Sequence, residues 1–250
     1  MQLGTYDRTG YTVALADMDG DDDLDIVQAS DKQENQIYFN DGTGQFGPAH
    51  LFGDIQSNTR SIEIADVNGD GALDILEVCR GTPNLLFIND GAGLFPGMEH
   101  SDVPLPVTFG ELSDRTLSVK VADMNDDGRP DIVTSNIGEA NGIILNKGDG
   151  LFDQSQRFGS DTGNSYAILA HDLDRDEDMD IIVANVGDKN RVFLNDGAGQ
   201  LSLLAEIGLA EHKTYALAVG DINGDGLPDI IAGNSEGANI VYFQTVRDVK

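Results

Sequence analysis

Apolar residues along this chain come in short runs and never at sustained helical spacing. Thr12-Val13-Ala14-Leu15-Ala16, Asp25-Ile26-Val27, Gln36-Ile37-Tyr38-Phe39 and Asp229-Ile230-Ile231 are representative, each bounded by Asn, Asp or Gly. Short runs rich in Val, Ile, Leu and Phe with such boundaries predict strands. Four runs end in glycine-rich turns: Asn40-Asp41-Gly42-Thr43-Gly44, Asn89-Asp90-Gly91-Ala92-Gly93, Asn146-Lys147-Gly148-Asp149-Gly150 and Asn195-Asp196-Gly197-Ala198-Gly199. These turns supply the positive-φ positions that a tight hairpin needs.

The runs recur as a unit. Acidic segments of the form Asp-x-Asp/Asn-x-Asp-x-x-x-Asp start at Asp17, Asp66, Asp123, Asp172 and Asp221, spaced by 49, 57, 49 and 49 residues. Eighteen residues after each leading Asp stands an asparagine: Asn35, Asn84, Asn141, Asn190 and Asn239. Each unit parses as four strands. Strand a precedes the acidic segment, b follows it, c starts at the recurrent Asn, and d follows the turn from Phe46, Phe95, Phe152 or Leu201. The fifth turn would fall at Gln244. Four-stranded antiparallel units in tandem predict an all-β fold, a β-propeller of five blades forming one domain over residues 1–250. Leu3-Gly4 stands before the first strand a as Ile207-Gly208 stands before the fifth. Met1 to Gly4 is therefore expected to complete the last blade and close the ring. A larger propeller, for example of seven blades, would give the same pattern.

The net charge of −29 gives the acidic segments a chemical meaning. It argues against nucleic acid as a partner. Positions 1, 3, 5 and 9 present side-chain oxygens: Asp17, Asp19, Asp21, Asp25; Asp66, Asn68, Asp70, Asp74; Asp123, Asn125, Asp127, Asp131; Asp172, Asp174, Asp176, Asp180; and Asp221, Asn223, Asp225, Asp229. The backbone carbonyl of position 7 points the same way, at Asp23, Ala72, Arg129, Asp178 and Leu227. Oxygen-only donors at this spacing enclose a hard cation of about 6–8 ligands, and calcium fits best. Without His or Cys in the pattern, zinc and copper are disfavoured. Glycine at position 6 (Gly71, Gly128, Gly226) permits the sharp turn; the first and fourth loops carry Asp22 and Glu177 instead. We expect about five calcium ions, one per repeat, pinning the a–b hairpin of each blade.

These loops, with Asn-Asp-Gly-x-Gly-x-Phe downstream, resemble the FG-GAP/VCBS repeats of integrin α-subunit propellers and many secreted bacterial proteins. The resemblance implies calcium in each a–b loop, an extracellular or periplasmic setting, and roles in adhesion, glycan binding or protein contact. It does not exclude chemistry, since some secreted polysaccharide lyases look alike.

In a propeller the a–b and c–d loops share one face, leaving the opposite face for a glycan or protein ligand. Arg8, Arg60, Arg115 and Lys213 precede strand a there, and Tyr11, Tyr166 and Tyr215 stand six residues before the leading Asp. Such a basic and aromatic mouth suits an acidic sugar or side chain; it equally balances charge and fills space. The insertion from Pro96 to Val107 lies on the same face. No nucleophile–base pair, phosphate loop or zinc motif is visible, so a binding module is expected rather than an enzyme. A lyase using His100 or His212 with Arg115, and a purely structural scaffold, are the alternatives. The single Cys79 excludes an intrachain disulfide and reads as a small core residue. No apolar run reaches the roughly 18 residues of a membrane helix, so no membrane insertion is expected. Met1 to Arg8 lacks the apolar stretch of a secretory signal.

Overall fold

The computed structural model of the chain describes residues 3–4, 9–95, 105–148 and 150–245. They form five antiparallel sheets of three or four strands, a separate two-stranded hairpin and, among the described residues, no helix. The first sheet is β1 (Gly10–Ala16), β2 (Asp25–Ser30), β3 (Asn35–Tyr38) and β4 (His50–Phe52). The second is β5 (Thr59–Ala65), β6 (Asp74–Cys79), β7 (Asn84–Phe87) and β8 (Val107–Phe109). In the third, β9 (Thr116–Ala122), β10 (Asp131–Asn136) and β11 (Asn141–Ile144) are followed by a small hairpin, β12 (Asn146–Gly148) and β13 (Leu151–Phe152), before β14 (Gln156–Phe158) completes the sheet. The fourth is β15 (Ser165–His171), β16 (Asp180–Asn185), β17 (Asn190–Asn195) and β18 (Leu201–Ile207). The fifth has three strands, β19 (Lys213–Gly220), β20 (Asp229–Ser235) and β21 (Ile240–Tyr242).

This is the blade pattern of a β-propeller, with every strand b and four of the strands c starting where the repeats place them; the fifth strand c starts one residue later, at Ile240. Strand d differs. Only β18 runs directly from its turn, at Leu201. Phe46 makes an isolated bridge back to Asn40, Phe152 pairs with Asn146 in the small hairpin, and Phe95 turns into the core. The outer strands β4, β8 and β14 start several residues later.

The first strands of successive sheets run side by side: β1 by β5, β5 by β9, β9 by β15, β15 by β19. Hydrophobic burial follows these joints. One apolar cluster lies between the first and second sheets around Phe52, Phe87 and Phe95, with Phe52 and Phe87 edge to face at 5.2 Å. The next three lie between the second and third, third and fourth, and fourth and fifth sheets, around Leu86, Ile143 and Val192. Each sheet thus buries both faces only if it has a neighbour on each side, as a propeller requires. No comparable packing joins β19 to β1 among the described residues. The expected closing strand, Met1 to Gly4, falls partly outside the described residues: Met1 and Gln2 are not among them, and Leu3 and Gly4 are not assigned to a strand. A Cβ on Gly4 would stand 2.6 Å from the Tyr38 hydroxyl, so this segment lies against the first sheet, as Gly208 lies by Tyr242 of the fifth.

Candidate functional site

The acidic loops are built by their own carboxylates. Asp17 accepts hydrogen bonds from the backbone N–H groups of Gly20, Asp21 and Asp22, and Asp66 does the same for Gly69, Asp70 and Gly71. The carboxylate at position 5 takes the N–H of position 7 in every loop, at Asp23, Ala72, Arg129, Asp178 and Leu227. Position 9 opens strand b and is fully buried as Asp25, Asp74, Asp131, Asp180 and Asp229. One of its oxygens accepts from the N–H of position 2, the other from the N–H of the Asn or Gln that opens the turn after strand c. Burial raises these carboxyls above the usual range at Asp131 and Asp180, and pushes Asp74 up to about 6.

Three carboxylates converge in the first loop, Asp17, Asp19 and Asp21, and three in the fourth, Asp172, Asp174 and Asp176, with oxygens within 4.8 Å of one another. Partial burial, then the neighbouring charges, raises Asp19 and Asp174. Asp19 Oδ1 and Asn125 Oδ1 are buried without a hydrogen-bond partner. Crowded hard oxygens, some unpartnered, are what a hard cation relieves, so the donor set fits calcium. In the loops with Asn at position 3, the amides of Asn68, Asn125 and Asn223 each donate to the carboxylate at position 5, at 2.8, 2.9 and 3.0 Å. The third loop carries its own cation: Arg129 pairs with Asp127 and donates Nε to the Asn146 carbonyl. At position 6, Gly71, Gly128 and Gly226 have φ of +91°, +78° and +85°, and Asp22 and Glu177 are forced to +69° and +76°. The first and fourth loops also add Asp23 and Asp178 side chains, which sit over the turn glycines Gly42 and Gly197.

The loops gather at one end of the molecule. Asp17, Met18 and Gly20 share a cleft of about 570 Å³ with Asp70 to Leu73 and the Asn89–Gly91 turn. Asp126 of the third loop acts on Asp178 of the fourth, and Arg175 of the fourth approaches Gly226 of the fifth.

The other end of the inner strands carries the aromatic and basic residues. Tyr11, Arg60, Tyr166 and Tyr215 share one register, six residues before the leading Asp, which is roughly 20 Å of extended strand from the loops. The Arg60 guanidinium lies 4.2 Å over the Tyr11 ring, and Tyr166 meets Tyr215 edge to face at 4.8 Å. Tyr11 and Tyr215 are about half exposed. Lys213 pairs with Glu236 at 2.5 Å, and Arg115 approaches Gly138 and acts on Glu139. Arg8, and most of the insertion including His100, lie outside the described residues. His212 accepts from Leu209 N–H within its own turn, and nothing brings it to Arg115 among the described residues.

Three features escaped the sequence reading. The first is a staple between blades. Asn89 Nδ2 donates to the Met18 carbonyl, Asn146 to Val67, Asn195 to Met124, and Gln244 Nε2 to Leu173, at 2.7–2.9 Å. The conspicuous Asn of the turn was the available signal. The second is the buried Asp114, paired with Arg157 at 2.6 Å and beside Glu139, whose carboxyl is raised by burial and then by Asp114. The third is Glu77, fully buried in β6 and held by Thr59, which burial also raises. The neighbouring Cys79 is buried, its thiol pushed up to about 12.

A family model described as FG-GAP-like repeat matches residues 17–77, 123–183 and 172–232. No curated protein matches the chain. Among solved structures, it is similar to an Agrocybe aegerita lectin described as recognising non-reducing terminal N-acetylglucosamine. That match has 23% identity and TM-score 0.60, and covers 88% of this chain and 60% of the lectin's. A Burkholderia pseudomallei lectin matches at 15% identity and TM-score 0.67, over 92% of this chain and 66% of its own. The biofilm matrix protein Bap1 of V. cholerae matches at 18% identity and TM-score 0.53, over 88% and 34%. The chain thus spans about two thirds or less of these chains.

Proposed function

The chain belongs to the FG-GAP-like repeat family, and on that footing we propose that it is a calcium-stabilised, non-catalytic glycan-binding module that works outside the cytoplasm, in an extracellular or periplasmic setting. The observation carrying the binding role is the row of half-exposed Tyr11 and Tyr215 with Arg60 and Tyr166 at one end of the inner strands, remote from the acidic loops. Flat aromatic faces offer apolar area to the C–H face of a sugar ring, and guanidinium groups offer forked donors to hydroxyl or carboxylate groups. The likeness to two lectins agrees with a sugar as ligand. Calcium would be held by positions 1, 3, 5 and 9 of each loop, supplying the positive charge that lets crowded carboxylates coexist. The protein's own part is to fix those carboxylates through backbone N–H groups.

A glycan array, run in calcium and in EDTA, tests the reading. We expect binding of one sugar class that falls at least about tenfold in Tyr215→Ala and Arg60→Ala, a loss of about 1.4 kcal/mol, with unchanged melting. Binding unaffected by both substitutions, or product release from uronic-acid polysaccharides abolished by His212→Ala, would overturn it.

A further inference from the structure

We propose that Arg80 and Arg115 form an anion clamp across the joint between the second and third blades, and that its ligand is the carboxylate of an acidic sugar. The two residues oppose each other in an isolated antiparallel bridge, Arg80 just after β6 and Arg115 just before β9. Residues opposite one another in such a bridge send their side chains to the same side, about 5 Å apart at Cβ, and like charges there repel. The other three joints avoid this. The same bridge pairs Asp31 with Asn58, Ile137 with Asn164, and Val186 with Lys213. Acids are plentiful, 44 against 15 bases, and at the same end of the molecule Lys213 and Arg157 each take a carboxylate partner. Arg80 is half-buried and Arg115 exposed, and among the described residues neither forms an ion pair.

The acid beside the clamp is already engaged. Glu139, between β10 and β11, acts on Arg115, whose Nη1 lies 3.7 Å from where a Cβ on Gly138 would stand. Its carboxyl is turned instead to the buried Asp114, which pairs with Arg157 at 2.6 Å and accepts the Glu111 N–H. Arg157 in turn donates to the Ala140 carbonyl at 3.1 Å, so its fork is taken up within the blade. Burial, then Asp114, raises the Glu139 carboxyl, and two carboxyls in hydrogen-bond contact hold a proton between them rather than neutralise a neighbouring base. Two guanidinium groups are thus left without a counter-charge on one side of the bridge, at the end that carries the tyrosine row. Their planar forks match the two coplanar oxygens of a carboxylate. A doubly charged phosphate ester is disfavoured by Asp114 and Glu139 next to it and by the net charge of −29. That the carboxylate is carried by a sugar rests on the glycan-binding function proposed above; the clamp itself does not.

Calorimetric titration of the full chain with a glucuronate oligosaccharide, and with the same oligosaccharide after carboxyl reduction, tests the proposal. We expect the acidic form to bind at least about tenfold more tightly, an advantage of about 1.4 kcal/mol. That advantage should shrink with added salt and disappear in Arg80→Gln and in Arg115→Gln. Equal affinity for the two forms, or an advantage that survives both substitutions, would overturn the clamp and leave the glycan-binding function standing. Tighter binding of a sulfated oligosaccharide of equal length would overturn the carboxylate. Sodium acetate reads the clamp without a sugar: the arginine Nε–H resonances lost in Arg80→Gln and Arg115→Gln should shift in acetate and stay put in chloride at equal ionic strength. Such shifts with neither oligosaccharide bound would keep the clamp and overturn the sugar, and with it the glycan-binding function. Removing one guanidinium relieves repulsion, so Arg80→Gln should leave the folding equilibrium in urea unchanged or raise it. A loss of more than about tenfold would show that Arg80 already has a partner within the chain, and would overturn the proposal.

Discussion

Replacing Asn146 by alanine removes one staple between the second and third blades. Its side chain is buried, and its amide donates to the Val67 carbonyl at 2.7 Å and the Pro130 carbonyl at 3.0 Å, while its oxygen accepts from Gly148 N–H at 2.8 Å. Three hydrogen bonds at about 1 kcal/mol each give about 3 kcal/mol, and the stranded buried carbonyls move the figure toward about 4. For a chain of this size, a loss of about 3–4 kcal/mol lowers the melting temperature by roughly 6–16 °C. Asn40→Ala is the internal control: its bonds to Leu24 and from Gly44 are longer, at 3.2 and 3.1 Å, and exposed, so about 1 kcal/mol or less is expected. Asn146→Asp keeps the shape but points a carboxylate at two carbonyls, and should cost at least as much as alanine. Urea unfolding, read together with amide exchange in β5 and β9, measures all three. Values for Asn40→Ala and Asn146→Ala within about 0.5 kcal/mol of each other would refute the staple.

Asp70→Ala should lower the melting temperature in calcium and change it little in EDTA, because a site filled to a hundred times its Kd contributes about 2.7 kcal/mol; melting that EDTA leaves unchanged in the parent chain would sink the metal assignment. Glu177→Gly relieves a left-handed φ of +76° on a residue with a Cβ and should stabilise the chain by about 1 kcal/mol, read by urea unfolding in EDTA. Glu77 is raised by burial, so it favours the folded state most below the ordinary glutamate range and loses that contribution as pH rises through its folded value. Glu77→Gln should therefore be the more stable protein at neutral pH, the gain vanishing as pH falls into the ordinary glutamate range; a pH-independent difference between the two proteins would show that Glu77 is not the titrating group.

The repeat was legible because its signals are local. Five Asp-led loops, a recurrent Asn and four glycine turns place every strand b, and every strand c but the fifth, at its observed start, Asp25 and Asn35 in the first blade for instance. The recurrence of Asp at position 9 was legible for the same reason, but not the backbone N–H groups that it serves in every copy, which come from residues far apart in the repeat. Closure was not legible. The exposed Ile222 and Val241 have the same character as the buried Val67 and Leu86, and periodicity records a residue's apolarity without recording whether a neighbour exists to cover it. The Asp114–Arg157 pair was hidden for a related reason. Arg157 sits on an outer strand and meets an acid 43 residues away in sequence, with no equivalent in other repeats to draw attention to it. Arg129 was assigned through its carbonyl, whereas its guanidinium competes for the oxygen at position 5.

Gathering the acidic loops at one end gives the molecule a strong electric polarity. Of its 44 acids, 22 belong to those loops, while Arg60, Arg115 and Arg157 lie toward the other end. Over a negatively charged envelope or polysaccharide matrix, such a body is turned before it touches, its loop end repelled and its tyrosine end brought forward. The effect fades once salt shortens the screening distance to about 8 Å. Approach to a surface is thereby oriented by the same carboxylates that hold each loop together, and any cation bound among them would weaken that orientation.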